Sequence, residues 1–148
     1  MADFAAELPA RQDAISALTR RVAAFLADSN VDARAAYHVE LVLDELLTNV
    51  ATHGGAEGPV HVSLTISPDR VVAEVVDSGI AFDPCVARNV DVTASMEDRP
   101  VGGLGLLLVQ RMTESLAYER AGDRNQTRFS IRRTPAPQES QGGENGIC

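Results

Sequence analysis

One helix-like stretch, residues 33–53, places a carboxylate and a carboxamide one turn apart. Projected at 100° per residue, Glu45 and Asn49 lie on one border of the apolar stripe, whereas Asp44 projects towards solvent. The stripe consists of Val39, Val42, Leu43, Leu46 and Val50. Glu45 and Asn49 therefore face whatever covers this edge of the helix. Polar boundary residues with solvated head groups would give the same pattern.

A second candidate is an acidic residue that closes an apolar strand. Asp77, Ser78 and Gly79 directly follow the β-branched run of residues 71–76. A carboxylate only accepts hydrogen bonds, so it suits the exocyclic amine of adenine. A neighbouring glycine lets a flat base approach the backbone. The same three residue types also favour a plain turn, and that alternative stays open here.

A third candidate is a glycine-rich turn that opens an apolar helix, Gly102-Gly103-Leu104-Gly105-Leu106. Free amides at a helix N-terminus, together with the helix dipole, favour phosphate groups. Glycines in this position can also form a simple hinge. The pattern is not the dinucleotide-binding fingerprint, because it does not directly follow a strand within a βαβ unit.

Hydrophobic periodicity indicates the elements that must position these residues. Adjacent strands joined by short turns predict a mostly antiparallel sheet with helices on one face, an α/β two-layer sandwich of the α+β type. Pro and Gly interrupt residues 78–103, a length that is typical of a functional or disordered loop. The predicted strands are 1–8, 60–66, 71–76, 116–120 and 128–133, and the predicted helices are 11–29, 33–53 and 104–116.

Composition excludes several classes of protein. All 13 basic residues are Arg, and the chain contains no Lys. A P-loop, a protein kinase of the eukaryotic type and Schiff-base chemistry each need a Lys, so none of them fits. The 21 acidic residues give a net charge of −8, which argues against a nucleic-acid partner. Two distant cysteines, Cys85 and Cys148, form neither a disulfide framework nor a zinc site.

The chain has the length and the apolar content of one domain, which we predict over residues 1–134. Residues 135–148 are rich in Gln, Glu and Gly without a core-forming pattern, so we predict a disordered tail. Neither a signal peptide nor a membrane-spanning run is evident. We therefore expect a cytoplasmic protein that does not act at a membrane.

Taken in order, the three candidates resemble the nucleotide-binding boxes of the GHKL ATPases, the superfamily of gyrase, Hsp90, histidine kinases and MutL. Within this superfamily, the boxes most resemble those of the stand-alone bacterial anti-sigma-factor serine/threonine kinases. The resemblance spans roughly residues 3–133. The three boxes are Glu45-Leu46-Leu47-Thr48-Asn49 with His53-Gly54, Asp77-Ser78-Gly79-Ile80-Ala81-Phe82-Asp83-Pro84, and Gly102-Gly103-Leu104-Gly105-Leu106. The resemblance implies the Bergerat ATP-binding fold with ATP and Mg²⁺.

The resemblance also implies a role for each box. Asn49 would coordinate Mg²⁺, Glu45 would be the catalytic carboxylate, and Asp77 would bind the adenine amine. The loop of residues 83–101 would be the ATP lid, with Arg99 as its candidate cation and Arg88 as a weaker one. The other nucleotide-binding residues implied by the match are Gly79, Phe82, Gly103, Leu104, Gly105, Leu106 and Thr127, the last of which opens the final predicted strand.

In function, the resemblance implies a kinase that phosphorylates an anti-sigma-factor antagonist and sequesters a sigma factor, with a homodimer as the expected assembly. A sensor histidine kinase does not fit, because His38 lies within the first-box helix. A gyrase- or MutL-like ATPase would need a second domain, for which we expect no room in 148 residues. The open alternative is a non-catalytic ATP-binding module that binds a sigma factor or another regulator. The presence of Glu45 favours the enzyme.

Overall fold

The computed structural model describes residues 2–55, 57–86 and 103–135. Over these ranges three helices and five strands form the two predicted layers. The strands are β1 (Phe4–Leu8), β2 (Val60–Ile66), β3 (Arg70–Asp77), β4 (Ser115–Ala121) and β5 (Arg124–Arg132). The helices are α1 (Gln12–Asp28), α2 (Ala33–Asn49) and α3 (Gly103–Met112).

The strands form one sheet in the order β1-β2-β3-β5-β4, with every neighbouring pair antiparallel. This arrangement confirms the predicted sandwich. Because β3 pairs with β5, the chain must leave the sheet after β3 and return through α3 and β4. The end of β3 and the start of β5 therefore lie side by side, and Asp77 is opposite Asn125.

Alternation along the strands and helical spacing along α1 and α2 bring one apolar face of each element into a common core. Asp32 accepts a hydrogen bond from the Ala35 amide and so caps α2. No helix within the described ranges has both the length and the apolar content to cross a membrane. The largest fully buried side chains are Phe129, Ile15, Leu26, Leu43, Leu47, Leu64, Ile131, Val22, Val39, Val42, Val60 and Val62.

The predicted helix over residues 33–53 changes its winding before it ends. Val50–Gly54 forms a π-helical turn directly after α2, and Gly55 follows with a left-handed backbone, φ 62°. Glycine adopts this conformation without steric strain, so it ends the helix here. The π turn contains His53 and Gly54, the second part of the first box, and π-helical turns are frequent at functional sites.

The last hairpin is tighter than the sequence pattern predicts. The predicted strands 116–120 and 128–133 leave residues 121–127 between them, but β4 and β5 extend to Ala121 and Arg124, and only Gly122 and Asp123 form the turn. Gly122 has φ 63°, which suits a tight hairpin. Thr127 therefore lies within β5 rather than at its start, which corrects our expectation. Helix α3 also ends earlier than predicted, at Met112.

Deleting residues 135–148 should leave the melting temperature and the ATP affinity unchanged, since this segment has little apolar surface to offset the entropy of ordering. A longer deletion from Arg133 onward is the matched control. Arg133 is buried and donates to the carbonyls of Ser67 and Asn30, so its loss should lower the melting temperature. Thermal unfolding gives the melting temperatures of the two deletion variants, and nucleotide titration gives the ATP affinity of the shorter one. A lower melting temperature for the shorter deletion would contradict the prediction.

Candidate functional site

Asn49 lies at the end of α2 with an unusual hydrogen-bonding state. Its side chain is 9% exposed, and its Nδ2 atom is buried without a partner among the described residues. An unpaired buried polar group costs about 1–3 kcal/mol. A carboxamide oxygen is a hard ligand of the kind that Mg²⁺ prefers. Nδ2 is a donor and cannot bind a cation, but no described residue forms a hydrogen bond with the Oδ1 atom either, so this oxygen fits the predicted magnesium ligand.

A metal site built only from protein groups is not evident. The residues that the structure describes include no cluster of three or more His, Cys, Asp or Glu side chains that could hold a metal ion. Mg²⁺ usually binds through one or two protein ligands and completes its shell with water and substrate phosphates. A single oxygen ligand from Asn49 is compatible with that kind of site.

Glu45 lies one turn before Asn49 and contacts the beginning of α3. A Cβ atom added at Gly105 would lie 2.0 Å from the Glu45 Oε1 atom and 2.9 Å from its Cδ atom. Only glycine at position 105 lets the carboxylate approach the first turn of α3 this closely. The first and third boxes, far apart in sequence, therefore meet at this contact.

The environment of Glu45 favours its protonated form. Burial raises the pKa of the Glu45 carboxyl, and the nearby charge of Asp44 raises this pKa further. Asp44 is itself partly buried, although the helical projection predicts that it faces solvent. Both acidic residues thus belong to one electrostatic environment. A carboxyl group with a raised pKa is a stronger base and so better suited to accept a proton from a substrate.

Asp77 ends β3 and is buried, with 6% of its surface exposed. Its Oδ1 atom accepts hydrogen bonds from the Gly79 amide at 2.8 Å and from Nδ2 of Asn125 at 3.0 Å. Asp77, Ser78 and Gly79 thus do form a local turn, but the hydrogen bonds of this turn and of Asn125 engage only the Oδ1 atom of the carboxylate. A buried carboxylate with an oxygen to spare can accept a further donor from a ligand.

Gly79 joins the second box to the first. A Cβ atom added here would lie 2.6 Å from the Gly54 carbonyl oxygen, so the two backbones pack without room for a side chain. The Ile80 amide donates to the same Gly54 oxygen at 2.8 Å. The π-helical turn after Asn49 and the loop after Asp77 are therefore fastened together. Contacts at Gly105 and Gly79 bring all three boxes to one end of the fold.

The other predicted residues have different places in the fold. Thr127 is buried in β5 opposite Val75, and Leu106 is buried. Phe82 is partly buried in the loop after β3. Gly103 begins α3, and Leu104 follows it. Arg99, Arg88 and the lid from residue 87 to residue 101 lie outside the described residues.

Asn125 is the residue that the sequence interpretation missed. It lies within β5, is 4% exposed and bonds directly to Asp77. It lies between the predicted strands 116–120 and 128–133, in a stretch rich in the turn-forming residues Gly, Asp and Asn. The period-two series of Asn125, Thr127, Phe129 and Ile131 would have placed it on the buried face of the strand.

A groove of about 830 Å³ opens between α1 and α2. Its lining includes small side chains of both helices together with Tyr37 and Glu40. Of the predicted site residues that the structure describes, none contributes to this lining. The meeting point of the three boxes is therefore a different place on the molecule.

Comparison with known proteins agrees with this geometry. The family model of the histidine kinase-like ATPase domain matches residues 8–131. The serine/threonine-protein kinase BtrW of Bordetella bronchiseptica is 31% identical over 91 residues, which cover 60% of this chain and 64% of BtrW. The chain thus spans less than two thirds of that relative.

A solved structure of the RsbU and RsbW domains of Rv1364c from Mycobacterium tuberculosis has a similar fold. Its TM-score is 0.65 at 15% identity, and the match covers 90% of this chain and 32% of that one. At this identity the likeness concerns the fold alone. The family model covers most of the sequence and includes all three boxes. The chain therefore belongs to the family of histidine kinase-like ATPase domains, within the GHKL group that its motifs resemble.

Proposed function

We propose that this chain is an ATP-dependent protein serine/threonine kinase of the anti-sigma-factor type. It would transfer the γ-phosphoryl group of ATP to a Ser or Thr of an anti-sigma-factor antagonist. The observation that carries the proposal is the Glu45 carboxylate, which lies at the first turn of α3 and one turn before Asn49. Similarity to BtrW, which is named a serine/threonine-protein kinase, supports the same reaction class.

In this proposal each box performs one task. Asp77 accepts a hydrogen bond from the adenine amine, with Gly79 beside the base. Amides in the first turn of α3, near Gly103 and Gly105, bind the phosphates. Asn49 provides one oxygen to Mg²⁺, which when bound neutralises phosphate charge.

Glu45 orients the incoming hydroxyl group and accepts its proton as the new P–O bond forms, while the bond from the γ-phosphorus to the bridging oxygen breaks and ADP leaves. Phosphoryl transfer asks a protein mainly for positioning and charge stabilisation, so one correctly placed base completes the site. Sequestration of a sigma factor, homodimer formation, a cytoplasmic location and a phosphate contact from Arg99 belong to the same proposal.

The test is incubation with γ-labelled ATP, Mg²⁺ and purified antagonist domains encoded near this gene, followed by mapping of the phosphorylated site. We expect label on a Ser or Thr of one antagonist and none when Glu45→Gln replaces the wild type. If ATP binds but no antagonist becomes labelled, the kinase proposal is wrong and the non-catalytic regulatory module is favoured. An absence of ATP binding would contradict both.

Gly105→Ala should leave the protein folded but lower phosphotransfer by about 10²-fold. The added methyl group displaces the end of a flexible side chain, Glu45, rather than backbone, and a shift of about 1 Å in a catalytic group can have an effect of this size. Labelled-phosphate transfer and thermal unfolding are the measurements. Gly58→Ala is the matched control, because its nearest contact, the Ser78 hydroxyl, would be at an ordinary 3.4 Å. Equal activity of both variants would contradict the prediction.

The pH dependence of phosphotransfer should report on Glu45. A base acts only when deprotonated, and the pKa of Glu45 is raised by burial and by Asp44. Activity should therefore fall on the acidic side at a higher pH than the ordinary pKa of Glu predicts. Asp44→Asn removes one cause of the shift, so it should move this limb to lower pH and leave the alkaline plateau unchanged. Glu40→Gln, on the same helix, should not move the limb.

A further inference from the structure

Behind Asp77 lies a set of polar side chains that none of the three boxes includes. Asn125 of β5 donates from Nδ2 to Oδ1 of Asp77 at 3.0 Å and to the Ile80 carbonyl at 2.8 Å. Its Oδ1 accepts from the Tyr118 hydroxyl and from Nη1 of Arg120, the latter at 3.0 Å. Nδ2 also reaches the Gly79 carbonyl at 3.4 Å, so two donors and three acceptors surround the amide of this one buried residue.

These partners determine which way the amide of Asn125 points. A carboxylate and a carbonyl can only accept, so Nδ2 must face them, and the Arg120 guanidinium can only donate, so Oδ1 must face it. A flipped amide would lose the bonds to Asp77, Ile80 and Arg120, whereas the Tyr118 hydroxyl could pair with either end. Donors on β4 therefore fix the orientation of the Asn125 amide. The amide in this orientation donates to Asp77 and to the loop that follows β3.

Arg120 strengthens the same arrangement by a second route. Its Nη1 atom also donates to the Gly79 carbonyl at 2.7 Å. Asn125 and Arg120 thus hold the carbonyls of Ile80 and Gly79, and the Gly79 amide holds Asp77 from within the loop. The loop that follows β3 is fastened to the last hairpin at two successive carbonyl groups.

The consequence for Asp77 concerns its two carboxylate oxygens. Among the described residues, the donors that reach this carboxylate, the Gly79 amide and Nδ2 of Asn125, both bind Oδ1. Two donors on one oxygen restrict rotation of the carboxylate and leave Oδ2 as the acceptor for a ligand. An acceptor held in one direction selects a base edge that presents an amine over one that presents a carbonyl oxygen.

We propose that Asn125, supported by Arg120 and Tyr118, is a positioning residue that sets the base selectivity of the nucleotide site by orienting Asp77. The proposal rests on the role of Asp77 in adenine binding proposed above. Asn125 does not touch the base in this proposal. It acts through the Asp77 carboxylate. The oriented carboxylate selects a purine that has an exocyclic amine at the position facing Asp77.

A double-mutant cycle between Asn125→Ala and Asp77→Asn tests this, with Mg²⁺ complexes of ATP, GTP and inorganic tripolyphosphate as ligands. We expect Asn125→Ala to weaken ATP binding about tenfold, to narrow the preference for ATP over GTP, and to leave tripolyphosphate binding unchanged. In the Asp77→Asn background the same change should weaken ATP binding less than twofold, because the carboxylate through which it acts is gone. Gln126→Ala is the control, since Gln126 alternates to the other face of β5.

Arg120→Met is a second variant that leaves the buried Asn125 in place: it keeps an unbranched, mainly apolar side chain but removes the guanidinium that donates to the Gly79 and Asn125 oxygens. It should weaken ATP binding about threefold in the wild-type background and not in the Asp77→Asn background.

A full tenfold loss of ATP affinity from Asn125→Ala in the Asp77→Asn background, or an equal loss of tripolyphosphate binding, would overturn the positioning role and indicate general disruption. The positioning role would also be overturned if Asn125→Ala bound ATP with normal affinity and selectivity while Asp77→Asn bound ATP more weakly than the wild type. If Asp77→Asn itself binds ATP normally, the adenine role of Asp77 in the proposed function fails instead.

Discussion

Replacing Glu45 by Gln should lower phosphotransfer by about 10²–10⁴-fold while Mg-ATP binding stays close to that of the wild type. The amide keeps the shape and hydrogen-bonding capacity of the side chain but removes the basic lone pair. The contact with Gly105 is preserved, so the phosphate-binding turn of α3 is not displaced. Nucleotide titration and labelled-phosphate transfer separate the two effects.

The matched control is Asp44→Asn, the neighbouring carboxylate on the same helix. At alkaline pH, where Glu45 is deprotonated in both proteins, this variant should transfer phosphate at the wild-type rate. Indistinguishable activity of Glu45→Gln and Asp44→Asn on the same acceptor protein would show that Glu45 is not the base. The comparison has to be made at alkaline pH because Asp44 contributes to the raised pKa of Glu45.

Glu45→Gln should also raise the melting temperature at neutral pH. The folded-state pKa of Glu45 is raised, so its ionisation opposes folding above that pKa, and a neutral amide removes this penalty. The gain should shrink as the pH falls, because the wild-type carboxyl then binds its proton. Thermal unfolding across a pH series would show a constant difference if burial of the charge were irrelevant.

Replacing Asp77 by Asn should weaken ATP binding by about 1.5–3 kcal/mol, or roughly 10–150-fold. The Gly79 amide and Asn125 both donate to Oδ1, so the oxygen of the new amide should stay on that side. The new NH₂ group then faces the adenine amine, donor against donor. The same NH₂ group can donate to the O6 atom of guanine, so we expect GTP binding to improve relative to ATP.

Competition between ATP and GTP measures this change, with Glu74→Gln as the control. Glu74 lies on β3 as well, but its side chain alternates to the opposite face from Asp77 and is partly exposed. The Glu74→Gln variant should bind ATP and GTP with the affinities of the wild type. Equal affinity of the wild type for ATP and GTP would contradict the assignment of Asp77 to the adenine amine.

Local sequence signals were sufficient for most of the secondary structure and for the family. Helical spacing predicted α1 and α2, and the apolar patterns of residues 60–66 and 71–76 predicted β2 and β3, each within a few residues. These signals succeed because burial on one face imposes a period on the side chains. The same reasoning failed at the last hairpin, where turn-forming residues lie inside strands because pairing with β3 outweighs their local preference.

The order of the three boxes by itself determined which superfamily the chain resembles, since each box needs particular residue types at short spacing. Only the tertiary structure decided how the boxes meet. Gly105 receives the Glu45 carboxylate, Gly79 packs on the Gly54 carbonyl, and Asn125 orients Asp77 across two strands. These contacts join residues that are distant in sequence, and they depend on close approaches of backbone and side chain in three dimensions. No periodicity in the sequence encodes such distances, because periodicity reports which face a residue occupies and not what it meets there.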